Sequence, residues 1–377
     1  MQNFRVLLLG GGSGGHVFPL VAVAKALRGR AVEAGLNLDL MVIGEGKFIA
    51  QATTENGLPY KAIMTGKLRR YFSPLTLLDI LKMPVGFFQS LWDLFLFMPD
   101  VVFAKGGYAS IPGALAARVY MIPVFAHESD SIPGLANRIL DGWAKKIFIS
   151  FPSSEKYFKL GKTIITGNPV RQNLLGGDRN AAMQKFGLST ERKTVMVIGG
   201  SQGAQKINQM MLDTLVLMVK DFQIIHQCGE SQYEAVRTEV DKLIKEGEGE
   251  YADALKTNYK LYPFFSEEDM ALAYVASDII ISRAGAGSLF EIAALGKPAI
   301  IIPITHSTSG HQMTNALEFA KYGGVVVEEE NLTPHIIISQ INNLLEPEKY
   351  NSVSEKLKSF AVPDAADKIA SLLLNGQ

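Results

Sequence analysis

The chain contains, twice, an apolar run of strand length that leads straight into a glycine-rich loop. Phe4–Leu9 precede Gly10-Gly11-Gly12-Ser13-Gly14-Gly15-His16, and Thr194–Ile198 precede Gly199-Gly200-Ser201-Gln202-Gly203-Ala204. A helix-like segment follows each loop. A strand, a glycine turn and a helix N-terminus form an anion cradle. The glycines admit close backbone approach, and the first-turn N–H groups and the helix dipole attract negative charge. One cradle indicates a nucleotide site. Two of them, half a chain apart, predict an α/β protein of two Rossmann-like, doubly wound parallel-sheet domains facing a cleft.

The rest of the chain fits that reading. Apolar strand runs alternate with helical segments. Strands are expected at 4–9, 38–43, 101–104, 122–126, 146–149 and 163–166, then at 194–198, 222–227, 258–262, 278–281, 299–302 and 324–327. The division is expected at Gly167-Asn168-Pro169, giving domains 1–167 and 168–351, with a tail at 352–377 that forms a helix, breaks near Pro363 and resumes. A length of 377 residues holds two full cores. The 37 basic and 37 acidic residues cancel, so nucleic acid is not an expected partner. Cys228 is the sole cysteine, which excludes an internal disulfide and a cysteine-based zinc site and fits a reducing compartment. The first apolar run ends in glycines and reads as a strand, not a signal peptide.

Residues 67–98 depart from a plain Rossmann pattern. Lys67, Arg69 and Arg70 lead into Tyr71, Phe72 and Leu75, and a second apolar run spans 85–98. Pro84, Gln89 and Asp93 make the stretch too broken to span a bilayer, which takes about 20 apolar residues. The part at 85–98 reads as a core helix. The part at 67–81 reads either as core or as a bilayer-surface segment with its basic flank on anionic lipid.

A third loop follows the strand at 278–281: Ser282-Arg283-Ala284-Gly285-Ala286-Gly287-Ser288, with Glu291 in the first helical turn. Glu291 is placed either to accept hydrogen bonds from a ribose diol or to complement the helix dipole. The first loop also matches Gly-x-Gly-x-x-Gly at Gly10, Gly12 and Gly15, the dinucleotide-oxidoreductase pattern. The second cradle is one that a single dinucleotide does not need.

Taken together these segments resemble the MurG family, the N-acetylglucosaminyltransferases that complete the lipid-linked peptidoglycan precursor. The resemblance rests on Gly11–His16, on Lys105-Gly106-Gly107-Tyr108-Ala109-Ser110 with Pro112, and on His127-Glu128-Ser129-Asp130 with Pro133-Gly134-Leu135-Ala136-Asn137. It continues through Gly167–Arg171, Gly199–Ala204, Ser282–Ala286, and Pro303 with Gln312 and Asn315. The family usually carries glutamine and asparagine where Ser129 and Asp130 stand.

The resemblance implies a GT-B architecture, with the nucleotide sugar held mainly by the C-terminal domain, the acceptor by the N-terminal domain, and the last helix crossing back to the latter. It implies inverting transfer of N-acetylglucosamine from UDP-N-acetylglucosamine to the C4 hydroxyl of a polyprenyl-diphosphate-linked muramyl peptide. It places the enzyme peripherally at the cytoplasmic face of the cell membrane, on an anionic surface. Lys67, Arg69, Arg70, Tyr71, Phe72, Leu75 and Tyr108 are the expected membrane and acceptor residues.

Many glycosyltransferases hold a metal with an Asp-x-Asp motif, which this chain lacks. No metal and no cofactor are expected. Loop N–H groups, helix dipoles, Ser201 and Arg171 would instead stabilise the leaving diphosphate. His16 is the expected base, with Asp130 and Glu128 as the other candidates. Ser13, Gly14, Gly15, Asp130, Arg171, Ser201, Ala286, Gly287, Ser288 and Glu291 are the expected donor-binding set. By the resemblance Phe265 lines the uracil pocket and Gln312 contacts the sugar hydroxyls. The alternatives are a related GT-B transferase with another lipid-linked acceptor and a UDP-sugar 2-epimerase.

Overall fold

The computed structural model describes the whole chain apart from Met1, Ser13, 67–73, Ser201, Gln202, Glu248, 306–309 and Gln377, with backbone only for 74–81. Two units divide it: Met1–Val170 with Val362–Gln377, and Arg171–Ala361. The first contains β1 (Asn3–Gly11), α1 (Gly14–Glu33), β2 (Asn37–Glu45), α2 (Lys47–Glu55), β3 (Tyr60–Ala62), α3 (Pro74–Phe97), β4 (Val101–Ala104), α4 (Ile111–Val119), β5 (Val124–Glu128), α5 (Leu135–Leu140), β6 (Lys146–Ile149) and β7 (Thr163–Ile165). The second contains α6 (Arg179–Phe186), β8 (Lys193–Ile198), α7 (Gln205–Met218), β9 (Phe222–Gln227), α8 (Tyr233–Glu246), α9 (Glu250–Asn258) and β10 (Tyr259–Tyr262). It continues with α10 (Glu267–Ala276), β11 (Ile279–Ser282), α11 (Ala286–Ala294), β12 (Ala299–Ile301), α12 (His311–Ala320), β13 (Val325–Val326), α13 (Pro334–Leu345) and α14 (Pro347–Phe360). The last helix, α15 (Ala365–Leu374), belongs to the first unit.

Each unit is a doubly wound parallel sheet. The strand orders are β3-β2-β1-β4-β5-β6-β7 and β10-β9-β8-β11-β12-β13. In both, the order reverses beside the strand that feeds a glycine loop, which is where ligands bind in open α/β sheets. Central strands are covered on both faces and so read as unbroken apolar runs. In β1 the alternate residues Val6 and Leu8 enter one core with Val17, Leu20 and Ile369, while Leu7 and Leu9 enter the other with Leu94, Ile111 and Ala114. The expected strands are present. β3 was not anticipated: it is a three-residue edge strand with an exposed lysine in the middle and carries no apolar run.

Two expectations need correction. The units divide at 170/171 and not at 167/168, and the returning tail begins at Val362 and not at 352. α14 stays on the second unit, where the Phe360 ring lies 4.6 Å from that of Phe290 and 5.1 Å from that of Tyr322. α15 alone packs on α1, where Asp367 pairs with Arg30 at 3.5 Å. Val353, Leu357, Phe360, Ile369 and Leu373 are all apolar and buried, so sequence pattern could not separate the two partners.

The second correction concerns 85–98. One face of α3 is core: Leu94 is fully buried, and Gln89 accepts the Met64 N–H at 2.7 Å through its side-chain oxygen. The other face presents Val85, Phe88, Trp92, Phe95 and Leu96 to solvent, with Phe88 66% and Trp92 63% exposed. These residues recur at three- and four-residue spacing and form one stripe. Among the described residues, no helix is long and apolar enough to cross a membrane.

Candidate active site

β1 delivers the chain to Gly12, at a φ of +86°, and α1 starts at Gly14. His16 therefore stands in the first turn of α1, where backbone N–H groups lack intrahelical partners. Its ring rests on the loop that leaves β4. A Cβ at Gly107 would sit 3.7 Å from the imidazole, and one at Gly106 would sit 2.8 Å from the Asn137 side-chain nitrogen. Both glycines have left-handed φ values, +88° and +76°. Gly106, at +88°, is thus required for conformation and for space, and Gly107, at +76°, for conformation.

The residue that opens this loop is Lys105, 1% exposed. Its ammonium donates to the Ser129 hydroxyl, which donates to Asn168 Oδ1 at 2.9 Å. Glu128, also buried, accepts the Asp130 N–H at 2.9 Å, the Gly134 N–H at 3.0 Å and Asn137 Nδ2 at 2.9 Å. Asn137 Nδ2 also donates to the His127 carbonyl. His127 Nε2 pairs with the Gly167 carbonyl at 3.1 Å. The β5 end, the following loop and the 167–168 turn are thereby one polar network around Lys105.

The charges in this network act on one another. Burial lowers the His16 imidazole to about 4, and the Lys105 ammonium pushes the same way; Asp130 and a hydrogen bond to the Lys105 backbone oppose them. Burial lowers Lys105 to about 8 against the pull of Glu128 and Asp130. Burial and the Asp130 charge raise Glu128 to about 7. At neutral pH the His16 ring is neutral, and a neutral imidazole can accept a proton. Nδ1 of His16 is buried and has no hydrogen-bond partner among the described residues.

The second unit gathers a different set. α11 opens on Gly285 with no side-chain cap, so the first-turn N–H groups of Ala286, Gly287 and Ser288 are not satisfied by a capping side chain. A Cβ at Gly285 or Gly287 would meet nothing within 4 Å. These glycines therefore serve no internal contact, as expected of a cradle shaped for a ligand. One turn on, Glu291 is 7% exposed and pairs with Arg171 at 2.9 Å. The Tyr274 hydroxyl donates to its other oxygen at 3.1 Å. Gln312, in the first turn of α12, accepts the Ile304 N–H at 3.1 Å, and Asn315 Nδ2 donates to the Ala284 carbonyl. α12 is thus tied to the loop that enters the cradle.

Sequence reasoning placed Gly14, Gly15, His16, Glu128 and Asp130 in one unit, and Arg171, Ala286, Gly287, Ser288, Glu291 and Gln312 in the other; the structure distributes them the same way. Tyr108 directly follows the Gly106-Gly107 turn and is half-buried. Ser13, Ser201, Lys67, Arg69, Arg70, Tyr71 and Phe72 lie outside the described residues, and Leu75 is described in its backbone alone. Phe265 is 3% exposed, its ring covered by Tyr262 at 4.9 Å and Phe186 at 6.1 Å. The open ring beside it is Phe264, 38% exposed.

Sequence reasoning missed Lys105, Asn168, Tyr274 and Glu329 as site-supporting residues. Glu329 accepts from Arg283 at 2.6 Å and from Lys206 at 3.1 Å. It links the loop before α11 to the first turn of α7. The one available signal was Lys105 itself, a lysine directly after the fully apolar strand Val101–Ala104.

These two cradle-bearing units define a nucleotide-sugar transferase class, and family comparison gives the same assignment. Residues 6–149 match the glycosyltransferase family 28 N-terminal domain and residues 194–369 its C-terminal domain. The chain is 36% identical over 372 residues to the UDP-N-acetylglucosamine--N-acetylmuramyl-(pentapeptide) pyrophosphoryl-undecaprenol N-acetylglucosamine transferase of Clostridium kluyveri, covering 98% of each chain. It is equally similar to the protein of that name from Legionella pneumophila, covering 98% of this chain and 96% of the relative. The crystal structure of Acinetobacter baumannii MurG superposes with a TM-score of 0.72 at 26% identity, over 99% of each chain. A UDP-GlcNAc 2-epimerase from Neisseria meningitidis superposes at 0.70 with 16% identity, over the whole of both chains, a likeness of fold alone. The chain belongs to the MurG family of glycosyltransferases.

Proposed function

We propose that the chain transfers N-acetylglucosamine from UDP-N-acetylglucosamine to the C4 hydroxyl of a polyprenyl-diphosphate-linked N-acetylmuramyl pentapeptide. The observation that carries this reading is the 36% identity to the Clostridium kluyveri transferase, which runs through 98% of both chains. The first unit is the acceptor-binding domain and the second the donor-binding domain. His16, neutral at working pH, takes the proton of the attacking hydroxyl as it bonds to the anomeric carbon. The sugar–oxygen bond to the diphosphate breaks, and UDP leaves. The negative charge that grows on the diphosphate is met by the N–H groups at the start of α11, a preorganised stabilisation. Glu291 receives the ribose hydroxyls and Gln312 the sugar hydroxyls. Asp130 and Glu128 act through the charge around His16.

The lipid-linked acceptor places the reaction at a membrane surface, at its cytoplasmic face. The apolar stripe Val85, Phe88, Trp92, Phe95 and Leu96 supports a peripheral seat, with its aromatic rings suited to the headgroup boundary. The basic cluster Lys67, Arg69 and Arg70 precedes the same helix in sequence and would add attraction to anionic lipid.

The test is a transfer assay with labelled UDP-N-acetylglucosamine and a short-chain lipid-linked muramyl acceptor. A lipid-linked disaccharide and an equal amount of UDP are expected. Conversion of the donor to its 2-epimer, or UDP release without label on the acceptor, would refute the assignment.

A further inference from the structure

Burying an ammonium is costly unless charge and hydrogen bonds compensate it. Lys105 is 1% exposed, and among the described residues its compensation comes from Glu128-Ser129-Asp130, at the end of β5 and just after it. Ser129 is the hydroxyl that its ammonium meets, and Asp130 and Glu128 supply the opposing charge. Ser129 and Asp130 are also the two positions where the chain departs from the amides usual in the family. The geometry thus joins both departures to a single lysine.

Lys105 has a second neighbour. Its backbone hydrogen-bonds the His16 ring, and two residues later a Cβ at Gly107 would come within 3.7 Å of that ring. Gly106, between them, packs on Asn137, which holds Glu128 at 2.9 Å. The 105–107 turn is therefore held between the charged β5 loop and the imidazole. We propose that Lys105 is a positioning residue for the transfer: its buried ammonium fixes the Ser129–Asp130 segment and sets a positive charge near the His16 imidazole. This rests on the reading of His16 as the base. The titratable groups around His16 are Lys105 directly after β4, His127 and Glu128 at the end of β5, and Asp130 after it. Among the two that act on it most directly by charge, Lys105 disfavours the imidazolium and Asp130 favours it. Burial is the main reason the ring is unprotonated, and the Lys105 cation pushes the same way.

The test combines two readouts on the full chain. The imidazole C–H resonances are followed through a pH titration, which is tractable because the sequence holds only six histidines. The acid limb of the kcat profile is measured in parallel. Lys105→Met should move the His16 midpoint up by about one unit, a usual size for loss of one nearby charge, and the acid limb should move the same way. Lys105→Arg keeps the charge and should leave both near wild type. Asp130→Asn should move both down. A midpoint unmoved in Lys105→Met, or moved as far in Lys105→Arg, would overturn the proposal. If Lys105→Met does not fold, the contrast between an unmoved midpoint in Lys105→Arg and a lowered one in Asp130→Asn still decides it; a moved midpoint in the first or an unmoved one in the second would overturn the proposal. Should wild type show no transfer, the functional reading fails, while the resonance titration still tests the lysine.

Discussion

Arg171 sets both its Nε and a terminal nitrogen on one oxygen of Glu291, at 3.0 and 2.9 Å, and leaves the other oxygen to the Tyr274 hydroxyl. The second oxygen keeps a further acceptor site, since a carboxylate oxygen takes two hydrogen bonds. Glu291 is thus a structural anchor whose second oxygen can still accept from the ribose hydroxyls of the proposed donor. Glu291→Ala should cost about 3–5 kcal/mol of stability by breaking a largely buried ion pair. Tyr274→Phe separates the two roles. It should cost about 1 kcal/mol, measured by denaturant unfolding, and should change the Michaelis constant for the donor more than turnover. Unaltered donor affinity in a folded Tyr274→Phe variant would remove the ribose role.

His16 titrates near 4 in the fold against an ordinary value of 6.5, and burial is the main cause. The folded state therefore binds fewer protons than the unfolded one between these values. Stability from this group is present above pH 6.5 and is lost as pH falls toward 4. His226, lowered to about 3 by burial, acts in the same direction. Melting temperature should fall through this window, and His226→Asn should flatten the slope. His16→Ala should lower turnover by roughly 10²–10⁴-fold with donor binding retained. Near-normal turnover would pass the base role to Asp130.

Glu329 binds Arg283 and Lys206 at once, and its side chain is 7% exposed. Burial opposes its ionisation, but these two hydrogen-bonding cations prevail and hold the carboxyl below its ordinary value. Its stabilisation is complete above that ordinary value and disappears as pH falls through the lowered one. Glu329→Gln should cost roughly 1.5–3 kcal/mol, the range for hydrogen bonds to charged groups. Donor affinity should weaken with it, because the residue ties the Arg283 loop to α7. Calorimetric titration with UDP would detect this, and wild-type affinity would count against the link.

Phe264 and Phe265 divide exposure between them. Phe265→Ala should destabilise by about 3–5 kcal/mol, as for other buried aromatics. Phe264→Ala should leave the melting temperature close to wild type. If the exposed ring stacks on the uracil, that variant should raise the donor Michaelis constant several-fold. An effect on UDP affinity from Phe265 alone, with stability intact, would reverse the assignment.

The stripe on α3 should bind vesicles. Replacing Phe88 and Trp92 with serine should reduce sedimentation with anionic lipid, and the residue of binding left should be sensitive to salt, as charge attraction is. UDP affinity should not change. Wild-type sedimentation by the double variant would return the stripe to an unassigned surface.

The central strands were legible because a strand covered on both faces is an uninterrupted apolar run, and the cradles because glycine has few other reasons to cluster after one. Edge strand β3 was not legible, since three mixed residues carry no period. The charged network at Lys105 was hidden for another reason. Its members come from residues 105, 128–130, 137 and 168, and only the sheet brings these positions together. Phe264 and Phe265 could not be told apart because adjacent residues differ only in which way the backbone turns them. The returning helix was expected, but its start was not, since α14 and α15 have equally apolar faces.

α15 also orders events in time. Ile369, Ala370 and Leu373 are fully buried in the same core as Val6 and Leu8 of β1. On a ribosome, the N-terminal sheet emerges long before these residues exist. The whole second unit must be synthesised before the first can close its helical layer on that face. During that interval the part of this core that α15 will cover stays open, a state prone to misassociation in chains that fold domain by domain. The order of synthesis therefore makes the first unit the last to finish folding.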